Sequence, residues 1–311
     1  MIKAMLLHLG TNMWEQKGKQ IPTDPEGSCY SDTLRFDYPV WEKVTGALVD
    51  NGFNTVLIDL AEGVVYDSHP ELAADGALTK DELRAELARL RKIGLTPIPK
   101  LNFSTTHSAW LQNYAYMVGT DRYYGVVRDL IEEVIDLFDT PEFFHLGLEE
   151  EDYESQKTQP VAIVRAPYKK CEDAQFMFDI VRAKGVRPWI WADLNTVNGF
   201  GGEKAFREAV ATDVMLSNWV YSRIARTPAE FDHYKTLSDW GYEQVPTSSI
   251  AGWHFNNYDT IDFCSKNVDK KLLAGHMEAP WCFCVERRYY SLMNNIVNFR
   301  YAWNDVYGED K

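Results

Sequence analysis

The sequence predicts a single domain over residues 1–311 folded as a (β/α)8 TIM barrel with long βα loops on its C-terminal face. Three observations predict it. First, short apolar strands alternate with amphipathic helices eight times, the order of an α/β barrel. Second, helix-to-strand turns are a few residues long. Strand-to-helix connections run to roughly 28 residues after the first strand, about 19 after the second to fourth, and roughly 15 after the sixth, so the long loops share one face. Third, Gly52, Gly94, Gly185 and Gly241 each stand just past a helix and just before a strand, where glycine takes the left-handed cap that turns the chain back. A doubly wound open sheet is the competing architecture, and eight units in about 300 residues favour closure.

The strands are expected at Ala4–Leu9, Thr55–Leu60, Thr96–Leu101, Phe143–Leu148, Arg187–Ala192, Val214–Asn218, Gln244–Thr247 and Leu272–Met277. Each is a short run rich in apolar or β-branched residues bounded by turn formers. The helices follow at Tyr38–Asn51, Lys80–Ile93, Arg122–Phe138, Tyr168–Lys184, Glu203–Ala211, Pro228–Trp240, Thr260–Val268 and Glu286–Val306. Thr79-Lys-Asp-Glu82 and Thr227-Pro-Ala-Glu230 read as helix starts, a capping threonine with glutamate three residues on. Gly199-Phe-Gly-Gly202 lacks the strand-to-helix context of a phosphate-binding fingerprint and reads as a flexible loop. No Pro/Gly/Ser-rich linker or shift of composition marks a second domain.

Composition narrows the function. Hydrophobic residues make up 45% and charged residues 25% of the chain, enough apolar material for a substantial core. A net charge of −14 argues against nucleic acid and against an anionic membrane surface, both of which need clustered Lys and Arg. Aromatic residues reach 14%, with ten Trp and seventeen Tyr, which suits either a ring-rich core or the flat faces of a sugar. The five cysteines are scattered, and Cys282-Phe-Cys284 has the wrong spacing for a redox or zinc pair. Free thiols, a short apolar N-terminus without a cleavage site, and no span long enough for a bilayer predict a cytoplasmic protein.

The residues at the C-terminal strand ends form the candidate site. These are His8 and Asn12 after the first strand, Asp59 and Glu62 after the second, and Lys100 and Asn102 after the third. The fourth supplies His145, Glu149 and Glu150, and the fifth Trp191 and Asp193. The sixth supplies Asn218, Trp219 and Tyr221, and the eighth His276, Glu278 and Trp281. Carboxylates, amides and indoles converging on one mouth suit a polyhydroxylated ligand, with a partner for each hydroxyl and rings for the C–H faces. The blander alternatives are a core histidine at 145, packing roles for Trp110, Trp219 and Trp281, and loop anchoring by Asp59 and Glu62.

The centre of this ring is Phe143 to Asp152, an apolar strand that spills into four consecutive acids, Glu149 to Asp152. A solvated acidic turn is the common origin of such runs. At a barrel rim they supply the paired carboxyls of glycosidic bond cleavage, one to protonate the leaving oxygen and one to stabilise the cationic centre. Adjacent glutamates repel, which is expected to raise one pKa into the range of a general acid. Side chains alternate along a strand, so both can enter the mouth only if the chain leaves strand geometry there.

Phe144-His-Leu-Gly-Leu-Glu-Glu150 resembles the strand-four signature of glycoside hydrolase family 20, the β-N-acetylhexosaminidases, usually His-x-Gly-Gly-Asp-Glu. Arg187-Pro-Trp-Ile-Trp-Ala-Asp193 resembles that family's strand-five Trp-x-Asp segment, and Leu272 to Trp281 its strand-eight Gly…Trp segment. The resemblance implies a barrel, a carbohydrate substrate and no metal or other cofactor. It implies Glu150 as general acid/base and Glu149 in the place of the acid that orients the substrate's own 2-acetamido nucleophile. The chain departs from the pattern at Glu149 in place of Asp, at Leu148 in place of Gly, at Trp281-Cys-Phe283 in place of Trp-x-Glu, and in having no arginine within Met5–Trp14.

Two other readings stay open. His8, Glu150, Asp193, His254, His276 and Glu278 could compose a divalent-metal site of a sugar isomerase or hydrolase, although no His-x-His follows the first strand. A carbohydrate-binding pseudoenzyme would keep the pocket without turnover.

Overall fold

The computed structural model describes residues 1–19, 28–221 and 228–308. Eight parallel strands form one sheet: β1 (Ile2–His8), β2 (Thr55–Asp59), β3 (Thr96–Lys100), β4 (Phe143–His145), β5 (Arg187–Trp191), β6 (Met215–Ser217), β7 (Thr247–Ser248) and β8 (Gly275–Glu278). Neighbours in sequence are neighbours in space, and β1 returns to β8. Parallel bridges Leu216↔Gln244 and Trp219↔Thr247 join β6 to β7 and close the ring, so among the described residues the sheet has no free edge strand. The predicted barrel is therefore present.

The helices are α1 (Tyr38–Asp50), α2 (Lys80–Lys92), α3 (Asp121–Leu137), α4 (Tyr153–Gln156), α5 (Pro167–Ala183), α6 (Leu194–Gly199), α7 (Glu203–Ala209), α8 (Pro228–Asp239), α9 (Asn256–Asn267) and α10 (Tyr289–Tyr307). Thr79 starts α2 with the predicted reciprocal cap, its hydroxyl accepting from the Glu82 N–H and the Glu82 carboxylate accepting from the Thr79 N–H. The second predicted cap, Thr227, lies outside the described residues. The short helices α4 and α6 and a one-turn helix at Ala61–Gly63 sit in the long loops and have too few residues for a periodic signal.

Two apolar layers hold the barrel. Ala4, Leu6, Leu57, Ile98, Phe143, Trp189, Met215 and Met277 fill its interior. A larger cluster, with Leu7, Val56, Ile58, Phe144 and Ile190 on the strands, packs against the helices. Each fully buried Leu, Ile or Phe contributes about 1.5–3 kcal/mol.

Strand boundaries differ from expectation where the backbone turns. β4 ends at His145 rather than Leu148, because Gly147 and Leu148 both have φ of 75°. In β3, Thr96 donates to Asn54 on the β2 side and Leu101 to His145 on the β4 side. Strand alternation then turns the nitrogens of Pro97 and Pro99, which lack a hydrogen, toward β4. The β3–β4 ladder is accordingly confined to Lys100↔His145 at the mouth end.

Candidate active site

The acids leave β4 on a strained turn. Gly147, Leu148 and Glu150 all have positive φ, at 75°, 75° and 54°. Non-glycine residues pay of order 1–3 kcal/mol each for that conformation and keep it only where the surroundings enforce it. Here three successive carbonyls are held from outside. Lys170 Nζ, in the first turns of α5, donates to the Leu148 carbonyl at 2.9 Å. The Ser104 and Thr106 hydroxyls donate to the carbonyls of Glu149 and Glu150. His145 Nδ1 accepts from the Gly147 N–H at 3.1 Å. This turn breaks strand alternation, the condition for bringing both glutamates to the mouth.

Gly147 admits no side chain. An added Cβ would lie 1.9 Å from Asn102 Oδ1, and Asn102 Nδ2 donates to Glu149 Oε1 at 2.7 Å. Gly147→Ala is expected to cost about 1–2 kcal/mol from the left-handed backbone alone and to push Asn102 off Glu149. Thermal denaturation checks the first effect; a melting temperature within error of the wild type would refute it.

His107, in the loop after β3, joins the acids. Its Nε2 lies 2.9 Å from Glu150 Oε2 and 3.8 Å from Glu149 Oε1. Burial pushes the Glu150 pKa up, but the hydrogen bond and charge of His107 outweigh it and leave Glu150 below the usual glutamate value. His107 is shifted the opposite way. Burial opposes its protonation, yet the bond to Glu150 and the charges of both glutamates leave it raised. The raised carboxyl is Glu149, and its cause is burial, opposed by His107, Lys100 and Asn102. The expectation that repulsion between the adjacent glutamates raises one of them is thus corrected, since burial and His107 decide both.

Four aromatic rings at the C-terminal ends of β5, β6 and β8 form a box. Trp191 stands 6.0 Å from Trp281, Trp281 6.2 Å from Tyr221, and Tyr221 is stacked on Trp219 at 4.9 Å. Several polar atoms here are buried without a protein partner: Trp191 Nε1, Asn218 Nδ2 and Glu149 Oε2. Unpaired buried polar groups are costly unless a ligand or water completes them. Trp110 is excluded from this set, being fully buried with its Nε1 donating to the Asn102 carbonyl at 2.9 Å.

Beneath the mouth, His8, Asp59, Lys100 and His145 occupy one interior layer in register across β1 to β4. Asp59 is fully buried in an ion pair with Lys100, so it forms the floor rather than the lining. Burial and Lys100 push His8 down to about 3, and His145 lies well below its ordinary value for the same reasons. Both imidazoles are neutral. Because His145 Nδ1 accepts from Gly147, its proton sits on Nε2, which has no partner.

Three expected site residues are elsewhere. Asp193 spends both oxygens capping α6, accepting from the Asn195 and Thr196 N–H groups at 3.0 and 3.1 Å and from the Thr196 hydroxyl at 2.5 Å. His276 and Glu278 flank the interior residue Met277, so alternation turns them toward the helices. His276 Nε2 lies 2.9 Å from the Tyr307 hydroxyl of α10. Glu278 is buried near Ser248, Ile250 and Asn257, where burial raises its pKa well above the ordinary value. Among the described residues no three His, Cys, Asp or Glu side chains are grouped to hold a metal ion, and no helix is long and apolar enough to cross a membrane.

Glu278 gives a pH-dependence. Its folded pKa exceeds the unfolded one, so its contribution to stability is full below about 4.5 and is lost as pH rises toward the folded value. Glu278→Gln is expected to flatten the fall of melting temperature between pH 5 and 8 and to melt higher at pH 8, by a few degrees for a change of roughly 1 kcal/mol. Parallel melting curves against pH for the two proteins check it.

No family model and no curated protein sequence matches this chain. Solved structures do match in fold. A chitobiase from Flavobacterium johnsoniae aligns with 98% of this chain and 51% of its own at 14% identity and a TM-score of 0.61. A β-N-acetylhexosaminidase from Bacteroides fragilis aligns with 94% and 65% at 12% identity and a TM-score of 0.62. A family 20 catalytic module of a pneumococcal exo-β-D-N-acetylglucosaminidase aligns with 98% and 83% at 14% identity and a TM-score of 0.67. The chain thus spans 51% and 65% of the length of the first two. It shares with all three the barrel on which family 20 enzymes are built, a likeness of fold at these identities.

Proposed function

We propose that this chain is a glycoside hydrolase acting on a β-linked N-acetylhexosaminide, with Glu150 as general acid/base and Glu149 orienting the substrate. The observation that carries the reading is the strained exit from β4, which places Glu150 against His107 and leaves one oxygen of Glu149 unengaged beside the aromatic box. The likeness of the barrel to family 20 structures supports the sugar class.

In this mechanism the sugar ring lies against Trp191, Trp219 and Trp281. The 2-acetamido N–H donates to Glu149 Oε2, and the Tyr221 hydroxyl donates to the amide carbonyl. The carbonyl oxygen attacks C1 as the glycosidic C–O bond breaks, and the departing oxygen takes from Glu150 the proton that His107 passes to it, which leaves Glu150 ionised and His107 neutral. Positive charge then develops on the amide nitrogen, and in this buried site the Glu149 carboxylate stabilises it strongly. Glu150 deprotonates the water that attacks C1, reopening the ring formed by the acetamido group and restoring the proton to the pair.

A panel of nitrophenyl β-glycosides tests the reading. Turnover of the N-acetylglucosaminide is expected to exceed that of the glucoside, which has no internal nucleophile, by about 100-fold or more. Equal rates would remove the acetamido group from the mechanism, and no turnover of any glycoside would remove the hydrolase.

A further inference from the structure

A cavity opens beside the aromatic box at Trp281, with a volume of about 400 Å³, within the range of small-molecule pockets, roughly 300–1,000 Å³. Trp14, Trp281 and Phe283 line it together with Ser155, Thr158 and Gln159. Flat rings together with hydroxyl and amide groups suit the C–H faces and the hydroxyls of a pyranose. The aromatic wall is continuous with the box. Trp281 contacts Trp191 and Tyr221 on the box side and His8 at 5.8 Å, His8 contacts Trp14 at 5.0 Å, and Trp14 contacts Phe283 at 5.8 Å. Trp281, between the two, has φ of 48°, a strained backbone at the junction.

The cavity is a built feature. The excursion after β4 crosses the mouth and is tied to the excursion after β1. Gln159 Nε2 donates to the Trp14 carbonyl at 2.7 Å, Gln159 Oε1 accepts from the Gln16 N–H at 3.1 Å, and Gln16 Nε2 donates to the Val161 carbonyl at 2.7 Å. The charges at its edge are partnered, with Lys19 Nζ and Glu15 Oε1 3.1 Å apart.

Its position assigns a side of the substrate. Glu150 enters from β4, whereas Trp14 and Trp281 enter from β1 and β8, across an eight-strand ring. A general acid stands beside the oxygen that leaves, so the leaving group departs on the Glu150 side. What extends behind Trp281 is attached to the opposite, non-reducing end of the sugar being cleaved. We propose that this cavity is a sugar subsite for a further glycosyl unit at that end, so that the protein releases a disaccharide or longer fragment rather than single terminal sugars. The proposal rests on the glycosidase reading of Glu150.

The test uses the full chain and N,N′-diacetylchitobiose, its nitrophenyl β-glycoside and N-acetylglucosamine as probes. In calorimetry with the Glu150→Gln protein, the disaccharide is expected to bind at least tenfold tighter than the monosaccharide. Trp14→Ala, which empties one wall, and Ser155→Trp, which fills the space, are each expected to abolish that preference. The wild type is expected to release nitrophenol together with intact disaccharide. Equal binding of the two sugars, no binding of either, a preference that survives both substitutions, or trimming of the nitrophenyl disaccharide from its end would each overturn the subsite. Disaccharide preference without turnover of any glycoside would instead overturn hydrolysis and leave the subsite standing.

Discussion

Glu150→Gln is expected to lower kcat/KM on an N-acetylhexosaminide with a poor leaving group by roughly 10²- to 10⁴-fold, the usual worth of a positioned proton donor. The amide keeps the volume and one hydrogen bond to His107 but carries no transferable proton. The loss should appear in kcat, with KM changed little, because the proton moves only in the transition state. It should shrink for a nitrophenyl leaving group, which departs without help. A Gln variant equally impaired on both leaving groups would deny Glu150 the acid role; one unimpaired on both would remove it from the reaction.

His107→Phe is expected to move the basic limb of the pH–rate profile to lower pH. In the native protein the last proton of the Glu150–His107 pair is held by a histidine raised above 6.5. Activity that needs that proton persists through 6.5 and falls only as pH rises past the raised value. With phenylalanine at 107, the downward influence on Glu150 is gone, and burial shifts its carboxyl upward from 4.5. Glu150 then gives up its proton at lower pH than the pair does, and the limb follows it. Rates measured from pH 4 to 9 on one substrate decide the matter, and an unmoved limb would show that the pair does not share the catalytic proton. A simple packing role for His107 would lower the rate at every pH without moving the limb.

The strand-four reading illustrates what local sequence carries. Phe143 to Leu148 is legible as a strand because it is apolar and bounded, and the acids behind it are legible as a rim because charge cannot follow the strand into the core. Its true end at His145 was not legible, since Leu148 and Glu150 are ordinary residues whose left-handed backbone is imposed by Lys170, Ser104 and Thr106, the last two 44 or more positions away in sequence. His107 carried a faint signal, a histidine among hydroxyl residues in the loop after β3, but nothing in its neighbourhood announces a partner 43 residues later. His276 and Glu278 failed for the opposite reason. Glu278 ends β8, as expected, whereas His276 pairs with Lys3 near the start of β1, and for both a shift of one position between inward and outward faces decides the side. The same applies to Asp193, whose place is right and whose carboxylate is consumed by an α6 too short to foresee.

By itself the sequence determined the barrel, the face that bears the long loops and the glutamate pair at its centre, because period, punctuation and patterning are local and repeat eight times. Only the tertiary structure decided which strand-end residues meet, which glutamate is raised, and where a cavity opens beside Trp14 and Trp281. Those depend on contacts between residues tens of positions apart, on burial, and on backbone strain enforced from outside the turn.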